Sequence, residues 1–434
     1  MFKLSVMPAG TSRRAAVGTL WALRALVLDA GLVASLQARA QATAGDDPPP
    51  SLWTRDTLGG DWGGMRSALG QKGIRFDFWA TGFYQDMFKG TGKDDGDLSG
   101  RLDLMINGDT GKFGLWQGGG VHAHVTYRGG DLPGFRGGAL LPVHTSGVLP
   151  LDGKDEVVAT SLYYSQRFGD ARLMLGKINA LDLPARHPFF GGWGTDRFWN
   201  VAFVAPPSGV LPPVIMGGIL TYSFAPYSLT AMVFDPNDQT NSYSFNRLFA
   251  DGVNVSLSLA RSGEFAGRKS GAAITATYST AEGTDWSQIG LPPGSQTTTK
   301  EGSYNVAVDI SHFLVESARV PGKGLALYAK AAIADGNPNP VKGSFVGGVA
   351  GHAIVPGQPL DYFGVGYFFF NFSDELQNAV APVGRFDDEQ GIEAYYAFVP
   401  TPWLRLTANL QWVNPANGAN PSVWLGGLRV RVAF

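Results

Sequence analysis

Few side chains in this sequence could act on a substrate or hold a metal ion. His122 and His124 are two residues apart in an alternating stretch, so their imidazoles share one strand face and could bind a metal. No third ligand is adjacent, and the absence of cysteine excludes disulfides and thiolate sites. The run Asp235–Asp238 lacks the spacing and closing glutamate of a calcium loop and is better explained as a turn. We predict no metal and no cofactor.

The sequence also lacks the motifs of common enzymes. It contains no H-E-x-x-H, no G-x-S-x-G, and no Gly-Lys pair followed by Ser or Thr, which are the signals of zinc proteases, serine hydrolases and phosphate-binding loops. The net charge is −2 and the arginines are dispersed, whereas nucleic-acid-binding domains carry a basic patch. We expect no enzyme and no nucleic-acid partner. A lipase or protease built on a membrane barrel remains a weaker alternative.

The polar residues alternate with apolar ones. In the stretch 425–434, LGGLRVRVAF, apolar residues alternate with Arg429 and Arg431. A period of two indicates a strand, whose side chains point alternately to opposite faces. Such a strand has one face on a core or on lipid and the other in water. We predict that Arg429 and Arg431 face an aqueous interior.

Sixteen alternating stretches follow one another after the first seventy residues. Each has roughly the 9–11 residues that a tilted strand needs to cross a bilayer. They lie at about 75–88, 98–108, 119–129, 156–168, 171–180, 215–224, 227–235, 251–261, 271–280, 302–312, 323–335, 342–353, 361–372, 390–399, 403–414 and 422–434. With charged residues at 16% and 59 glycines, the composition fits a low-charge β protein.

The connections between these stretches alternate in length. Short turns occur at 169–170, 225–226 and 400–402, whereas the connections 130–155, 181–214, 236–250, 281–301 and 373–389 are long. Outer-membrane barrels have short periplasmic turns and long outer loops, and they close because an open edge in lipid leaves backbone groups unpaired. We predict an all-β fold over residues 75–434, a transmembrane antiparallel up-and-down β-barrel of sixteen strands.

The start of the chain has a different character. Basic residues at 3, 13 and 14 precede an apolar run that ends in the small-x-small sequence Ala38–Ala40. This pattern predicts a cleaved signal peptide over residues 1–40, with Gln41 as the mature start and cleavage after Ala44 as the alternative. Export and a barrel together predict the outer membrane of a Gram-negative cell.

A short periplasmic segment, residues 41–74, is predicted to follow. Asp61 can cap a helix, and Trp62, Met65 and Leu69 are spaced to share one apolar face. Gly73 then supplies a helix stop. We predict one short helix that packs against a larger body.

The polar faces of the strands would line the interior. The predicted lining residues are Arg101, Asp103, Asn107, His122, His124, Arg128, Glu393, Arg405, Asn409, Gln411, Arg429 and Arg431. The longest connection, 181–214, carries HPFFGGWGTDRFWN, which combines aromatic rings with hydroxyl-binding groups at Trp193, Asp196, Arg197, Trp199 and Asn200. We expect this loop to fold into the barrel and form its constriction; a position on the cell surface is the open alternative.

Four segments of the sequence resemble one protein family, the carbohydrate-selective porins of the OprB type. They are GGDWGGMRSALGQKGIRFDF at 59–78, MVFDPND at 232–238, LDYFGVGYFFFNFSDEL at 360–376 and IEAYYAFVPTPWLRLTANLQWVNP at 392–415. The resemblance implies a sixteen-stranded outer-membrane barrel that passes sugars by facilitated diffusion. Small neutral sugars such as glucose are the expected solutes, and a general porin, or one for polyols or organic acids, stays open.

Three kinds of partner besides the solute are considered. The apolar outer face predicts contact with outer-membrane lipid and lipopolysaccharide. The closing strand, which ends in Phe434, is the segment that we expect the barrel-assembly machinery to bind. Lipid-facing and partner-facing apolar residues have the same composition, so the sequence leaves a homo-oligomer as an open alternative.

Overall fold

The computed structural model describes most of the chain. It covers residues 51–434 apart from positions 93–94, 132, 151–154, 186, 188, 244, 289–296, 318–319, 321–322 and 383. The predicted signal peptide, residues 1–40, lies outside the described residues, as does the stretch 41–50 that follows it.

The described residues contain sixteen strands that form one closed antiparallel barrel, which confirms the predicted fold. Each strand pairs with its neighbours in the chain, and β1 pairs with β16. The strands are β1 (Ile74–Lys89), β2 (Asp97–Asp109), β3 (Gly119–Gly130), β4 (Glu156–Phe168), β5 (Ala171–Asn179), β6 (Val214–Phe224), β7 (Tyr227–Phe234), β8 (Asn254–Phe265), β9 (Arg268–Thr284), β10 (Thr299–Glu316), β11 (Gly324–Ala334), β12 (Val341–His352), β13 (Tyr362–Phe372), β14 (Glu389–Thr401), β15 (Leu404–Asn414) and β16 (Val423–Ala433).

The closing strand shows why the barrel has its apolar side outward. Leu428 and Val430 are 60% and 45% exposed, whereas Arg429 and Arg431 are 1% and 5% exposed. Alternation along a strand sends these two pairs to opposite faces. The outer face is therefore apolar, as a lipid-facing surface requires, and the charged side chains point inward.

The turns are short at one end of the barrel, as predicted. Gly169 and Asp170 alone join β4 to β5, and Ala225 and Pro226 alone join β6 to β7. The turn predicted at 400–402 is shifted, because β14 continues to Thr401. We call this the short-turn end of the barrel. Most of the longer connections leave the opposite end.

Two of the longer connections have described residues that lie inside the barrel. We call the described residues of 131–155, between β3 and β4, the first inner loop, and those of 180–213, between β5 and β6, the second inner loop. Apolar side chains of both loops belong to one buried cluster with inward side chains of β11–β16. Phe198, for example, stacks on Phe203 at 4.3 Å and meets the ring of Tyr395 edge-on at 4.8 Å.

This packing changes the environment of the arginines on β16. The sequence predicts that Arg429 and Arg431 face water, whereas the second inner loop covers both of them. The interior is thus partly a packed protein core, because the loops bring their own apolar residues into it.

Three short α-helices occur among the described residues: α1 (Met65–Gln71), α2 (Val201–Val204) and α3 (Asp374–Val380). The predicted helix is α1, which begins four residues beyond Asp61 because Gly63 and Gly64 have left-handed backbones (φ 66° and 91°). It ends at the predicted place, where Gly73 has φ 93°. Its predicted apolar face is not buried, since Met65 is 52% exposed. No helix in the described residues is long and apolar enough to cross a membrane.

The segment before β1 binds the closing strand. The Leu58 amide donates to the Ala433 carbonyl at 2.7 Å, and the Arg66 guanidinium donates to the Phe434 carbonyl at 2.6 Å. The Trp403 indole donates to the Leu52 carbonyl at 2.7 Å. These bonds hold the segment at the short-turn end, next to the β1–β16 closure.

Candidate functional site

The second inner loop is held by a carboxylate of the barrel wall. Glu393 is fully buried on β14, and its two oxygens accept the backbone N–H groups of Trp199 at 2.6 Å and Asn200 at 2.9 Å. Asn409, on the adjacent strand, donates to the same carboxylate at 2.6 Å. Charge-assisted bonds of this kind are the stronger ones in proteins. Glu393 therefore fixes the middle of the loop instead of facing the open interior.

Asn200 continues this anchoring from the loop side. Its side-chain oxygen accepts the Ala202 amide at 3.0 Å, which caps α2, and its amide donates to Gln411 at 3.3 Å. Gln411 in turn donates to the Val143 carbonyl of the first inner loop at 2.9 Å. One polar network thus ties both inner loops to β14 and β15.

Arg429 binds the same loop through its carbonyl groups. Its guanidinium donates to the carbonyls of Gly194 at 2.9 Å, Asp196 at 2.5 Å and Arg197 at 2.9 Å. A planar guanidinium has several donors in one plane and can bridge several acceptors. The buried arginine of β16 is therefore a support for residues 194–197.

A run of left-handed backbone aims the loop's tryptophan. Gly191, Gly192, Trp193 and Gly194 have φ values of 78°, 80°, 56° and 71°. Glycine adopts this region at little cost, but tryptophan does not. Trp193 is held there because its indole donates to Asp182 at 2.7 Å and its carbonyl accepts from Ser146 at 2.7 Å. The sequence GGWG thus fixes the position of the Trp193 side chain.

Asp196 lies among three arginines at the partly open surface of the loop. Its carboxylate lies 3.1 Å from Arg431, 3.5 Å from Arg405 and 3.6 Å from Arg197, and Tyr362 donates to it at 2.8 Å. Burial opposes ionisation, but the three guanidiniums outweigh it and hold the pKa of Asp196 well below its usual range. Three positive charges and one negative charge give this group an excess of positive charge.

Around the second inner loop, this group is the part of the predicted site that remains accessible. The side chains of Arg405, Asp196 and Arg197 are 27%, 17% and 14% exposed. Arg431 is nearly covered, and its guanidinium lies over the rings of Trp79 and Trp193 at 5.1 and 5.7 Å. We call Asp196, Arg197, Arg405 and Arg431 the arginine cluster.

A second charged network joins buried residues of the wall to Asp182 of the second inner loop. Arg101 donates to Asp103 at 2.8 Å, and His124 bridges Asp103 at 3.0 Å and Asp182 at 2.8 Å. A carboxylate only accepts hydrogen bonds, so both imidazole nitrogens donate and His124 is the imidazolium. Asp182 also binds the Trp193 indole. Arg101, Asp103 and His124 therefore support the start of the second inner loop and line no open space.

The remaining predicted lining residues lie elsewhere. Arg128 is half-buried and donates to the Gly147 carbonyl of the first inner loop. His122 bonds to Asn107 at 2.7 Å and to Ser165 at 2.8 Å, near the short-turn end. Within the described residues no group of three or more possible ligands is placed to hold a metal ion.

The predicted loop residues do not all share one surface. Trp199 is fully buried, with its ring between Phe83, at 5.6 Å, and the Arg429 guanidinium, at 5.6 Å. It has no surface to offer a solute in this structure. Sequence reasoning also missed the first inner loop, which Glu389 holds by accepting the amides of Leu140 and Leu141 at 2.7 and 2.8 Å. The inward position of Glu389, four residues before Glu393 on one strand, was the available signal.

A closed barrel of sixteen strands whose interior is narrowed by inward loops defines the porin class of channel. The family model described as "Carbohydrate-selective porin, OprB family" matches residues 93–434. The chain belongs to this family, whose members are channels rather than enzymes. No curated protein sequence matches the chain.

Solved structures show the same fold. The high-pH structure of Pseudomonas putida OprB is 18% identical, with a TM-score of 0.76 over 88% of this chain and 100% of that one. The low-pH structure of the same protein is 16% identical, with a TM-score of 0.57 over 88% and 99%. The outer-membrane channel DcaP of Acinetobacter baumannii is 10% identical, with a TM-score of 0.52 over 83% and 97%. At these identities the likeness establishes the fold alone.

Proposed function

We propose that this chain is an outer-membrane porin of a Gram-negative cell that passes small neutral carbohydrates, such as glucose and short oligosaccharides, by passive diffusion. Membership of a carbohydrate-selective porin family supports this proposal. The observation that carries it is the arginine cluster inside the barrel, where Asp196 and Arg197 of the second inner loop meet Arg405 and Arg431 of the wall and where a passing solute would meet them.

The chemistry of the cluster suits a sugar. A sugar has many hydroxyl groups, each able to donate and accept a hydrogen bond, and no net charge. Asp196 supplies an acceptor, and Arg197 and Arg405 supply donors. These groups are already paired with one another. The binding free energy of a sugar is therefore only the difference between its hydrogen bonds to the cluster and the bonds within the cluster that they replace. Weak binding of this kind permits release, as conduction requires.

The barrel wall across from β16 has different inward side chains. In the ring order, β8 lies eight strands from β16 and therefore faces it across the barrel. The inward side chains there are short hydroxyl groups, such as the pair Ser256 and Thr277 at 2.8 Å and the pair Ser258 and Thr275 at 2.8 Å. Short side chains leave room, and hydroxyls bind water and sugars alike. We infer that solutes pass between this wall and the second inner loop.

Sugar flux into liposomes tests the proposal. The wild-type chain should admit glucose faster than an empty liposome, and glucose should reduce its single-channel ion current. Arg197→Ala removes an exposed donor of the cluster and should change both measurements. Arg247→Ala is the matched control, because its side chain is 81% exposed on the connection between β7 and β8. Equal behaviour of the two variants would remove the loop from the transport path.

A panel of solutes separates the alternatives. Organic acids and polyols are offered to the wild-type channel at the same concentration as sugars. Stronger block by sugars supports carbohydrate selectivity. Stronger block by organic acids would identify a channel for anions, and equal passage of all solutes would identify a general porin. Hydrolysis of lipid or peptide by the purified barrel would instead support an enzyme.

A further inference from the structure

A cavity of about 310 Å³ opens at the short-turn end of the barrel, apart from the arginine cluster. Four cationic side chains line it: Arg75 of β1, Lys112 of the β2–β3 turn, Arg167 of β4 and Arg172 of β5. Asp109 is the one carboxylate of the lining. The volume lies within the range of about 300–1,000 Å³ that is usual for small-molecule sites.

Two of the arginines face each other directly. Arg167 and Arg172 are register partners in the β4–β5 pair. Like charges in opposed positions on one sheet face repel and destabilise the pair. In the described part of the chain, no hydrogen bond or ion pair engages the guanidinium groups of Arg75, Arg167 or Arg172. The fold therefore brings four cations together with a single carboxylate, Asp109, in the lining.

The neutral part of the lining adds directed hydrogen-bonding groups. His122 lies between Asn107 and Ser165 on the cavity wall. Gly120 keeps this wall open, because a Cβ atom there would lie 2.8 Å from the His122 ring nitrogen. The cavity thus combines a surplus of positive charge with groups that suit the hydroxyls of a polar molecule.

We propose that this cavity binds a small polar molecule through a phosphate monoester, with Arg167 and Arg172 as the main anion ligands. A phosphate carries close to two negative charges at neutral pH and three acceptor oxygens, so it can neutralise the opposed arginines. Guanidinium groups bind phosphate in a bidentate geometry. Arg75 and Lys112 add positive charge at the rim. The site does not depend on the proposed sugar transport, since its residues lie outside the arginine cluster.

The direct test is a titration of the purified barrel, in an uncharged detergent, with inorganic phosphate followed by calorimetry. We expect saturable binding at one site per chain. The double variant Arg167→Gln/Arg172→Gln should weaken it by roughly tenfold or more, because two charge-assisted contacts are lost. Arg268→Gln is the matched control, since Arg268 begins β9 at the same end of the barrel and does not line the cavity. It should bind phosphate like the wild type.

Thermal unfolding gives an independent readout that also checks folding. Without phosphate, the double variant should unfold at a higher temperature than the wild type, since the repulsion is relieved. Phosphate should raise the unfolding temperature of the wild type and of Arg268→Gln but not that of the double variant. A lack of saturable phosphate binding, or equal binding by the double variant, would overturn the proposal. Equal protection by chloride at the same ionic strength would also overturn it, because screening alone would explain the effect.

Two further arms identify the source of the phosphate. Competition by glucose 6-phosphate, but not by glucose, assigns the cavity to a soluble phosphorylated solute. Loss of phosphate binding in phosphatidylcholine nanodiscs that contain phosphatidic acid, whose headgroup is a phosphate monoester, with retention in phosphatidylcholine nanodiscs, assigns it to a lipid headgroup. Either result supports the site. Normal glucose flux in the double variant would separate this site from the proposed transport path.

Discussion

Glu389 and Glu393 lie four residues apart on β14, and each holds one of the two inner loops by accepting a pair of adjacent backbone amides. Both carboxylates point inward because four residues are two full periods of a strand. β14 therefore carries one carboxylate for each inner loop, and either carboxylate can be substituted while the other keeps its own pair of amides.

The first prediction concerns Glu393→Gln. The new amide group would place a donor against one of the amides of Trp199 and Asn200. We expect a destabilisation of about 2 kcal/mol, release of the second inner loop and a larger ion conductance. Protease cleavage between residues 191 and 200, together with single-channel recording, measures both effects.

Glu389→Gln is the matched variant for this experiment. It should expose the first inner loop, near Leu140, to the same protease and leave the second inner loop protected. Cleavage of the same loop in both variants would contradict independent fastening.

The second prediction concerns Arg429→Lys. An ammonium group keeps the charge but lacks the planar set of donors that reaches the carbonyls of residues 194, 196 and 197. We expect the free energy of unfolding to fall by about 2–3 kcal/mol, measured by denaturant titration. Arg385→Lys, at a side chain that is 74% exposed, should change it by less than about 0.5 kcal/mol. An equal loss in both would show that Arg429 contributes only its charge.

The third prediction concerns Asp196→Asn. The substitution removes the counter-charge of Arg197, Arg405 and Arg431 and raises the net charge of the cluster from +2 to +3. The reversal potential in a salt gradient should shift toward anions, with a roughly twofold or larger rise in the chloride-to-potassium permeability ratio. Asp374→Asn changes an exposed carboxylate on α3 and should leave the ratio unchanged. An unshifted ratio in Asp196→Asn would place the cluster away from the ion path.

The fourth prediction concerns pH and His144. This residue of the first inner loop is 1% exposed, and neither ring nitrogen has a hydrogen-bond partner among the described residues. Burial, with help from the Arg429 charge, lowers the pKa of His144 from 6.5 to about 3. The unfolded chain therefore takes up a proton first as the pH falls. The stability due to neutral His144 is complete above pH 6.5 and is lost as the pH falls from 6.5 toward 3.

His144→Phe tests this linkage. Between pH 7 and pH 5 the wild type should lose about 2 kcal/mol of unfolding free energy through this residue. The variant lacks this contribution, so its total loss should be smaller by about the same amount. Denaturant titrations at the two pH values measure the difference. Because phenylalanine has no unpaired polar atoms to bury, the variant should be at least as stable at pH 7. The same slope in both proteins would show that other groups cause the pH dependence.

The sequence by itself determined the wall of this protein. Alternation of the kind seen around Arg429 and Arg431 depends only on strand geometry, so it predicts which residues point outward. The number of alternating stretches predicts the number of strands. The resemblance of the segments at 59–78 and 392–415 indicated the family. The long connection at 181–214 was also recognisable as a loop with aromatic and charged residues.

Only the tertiary structure decided what the inward side chains do. Glu393 and Arg429 follow the same alternation as any lining residue, but loop backbone covers them, and they serve as its supports. Trp199 looked like a platform for sugars and is instead buried. A local pattern fixes the face of a strand, whereas contacts between residues some two hundred positions apart depend on the closed ring that brings them together. That physical difference explains why the barrel was predictable and the arginine cluster was not.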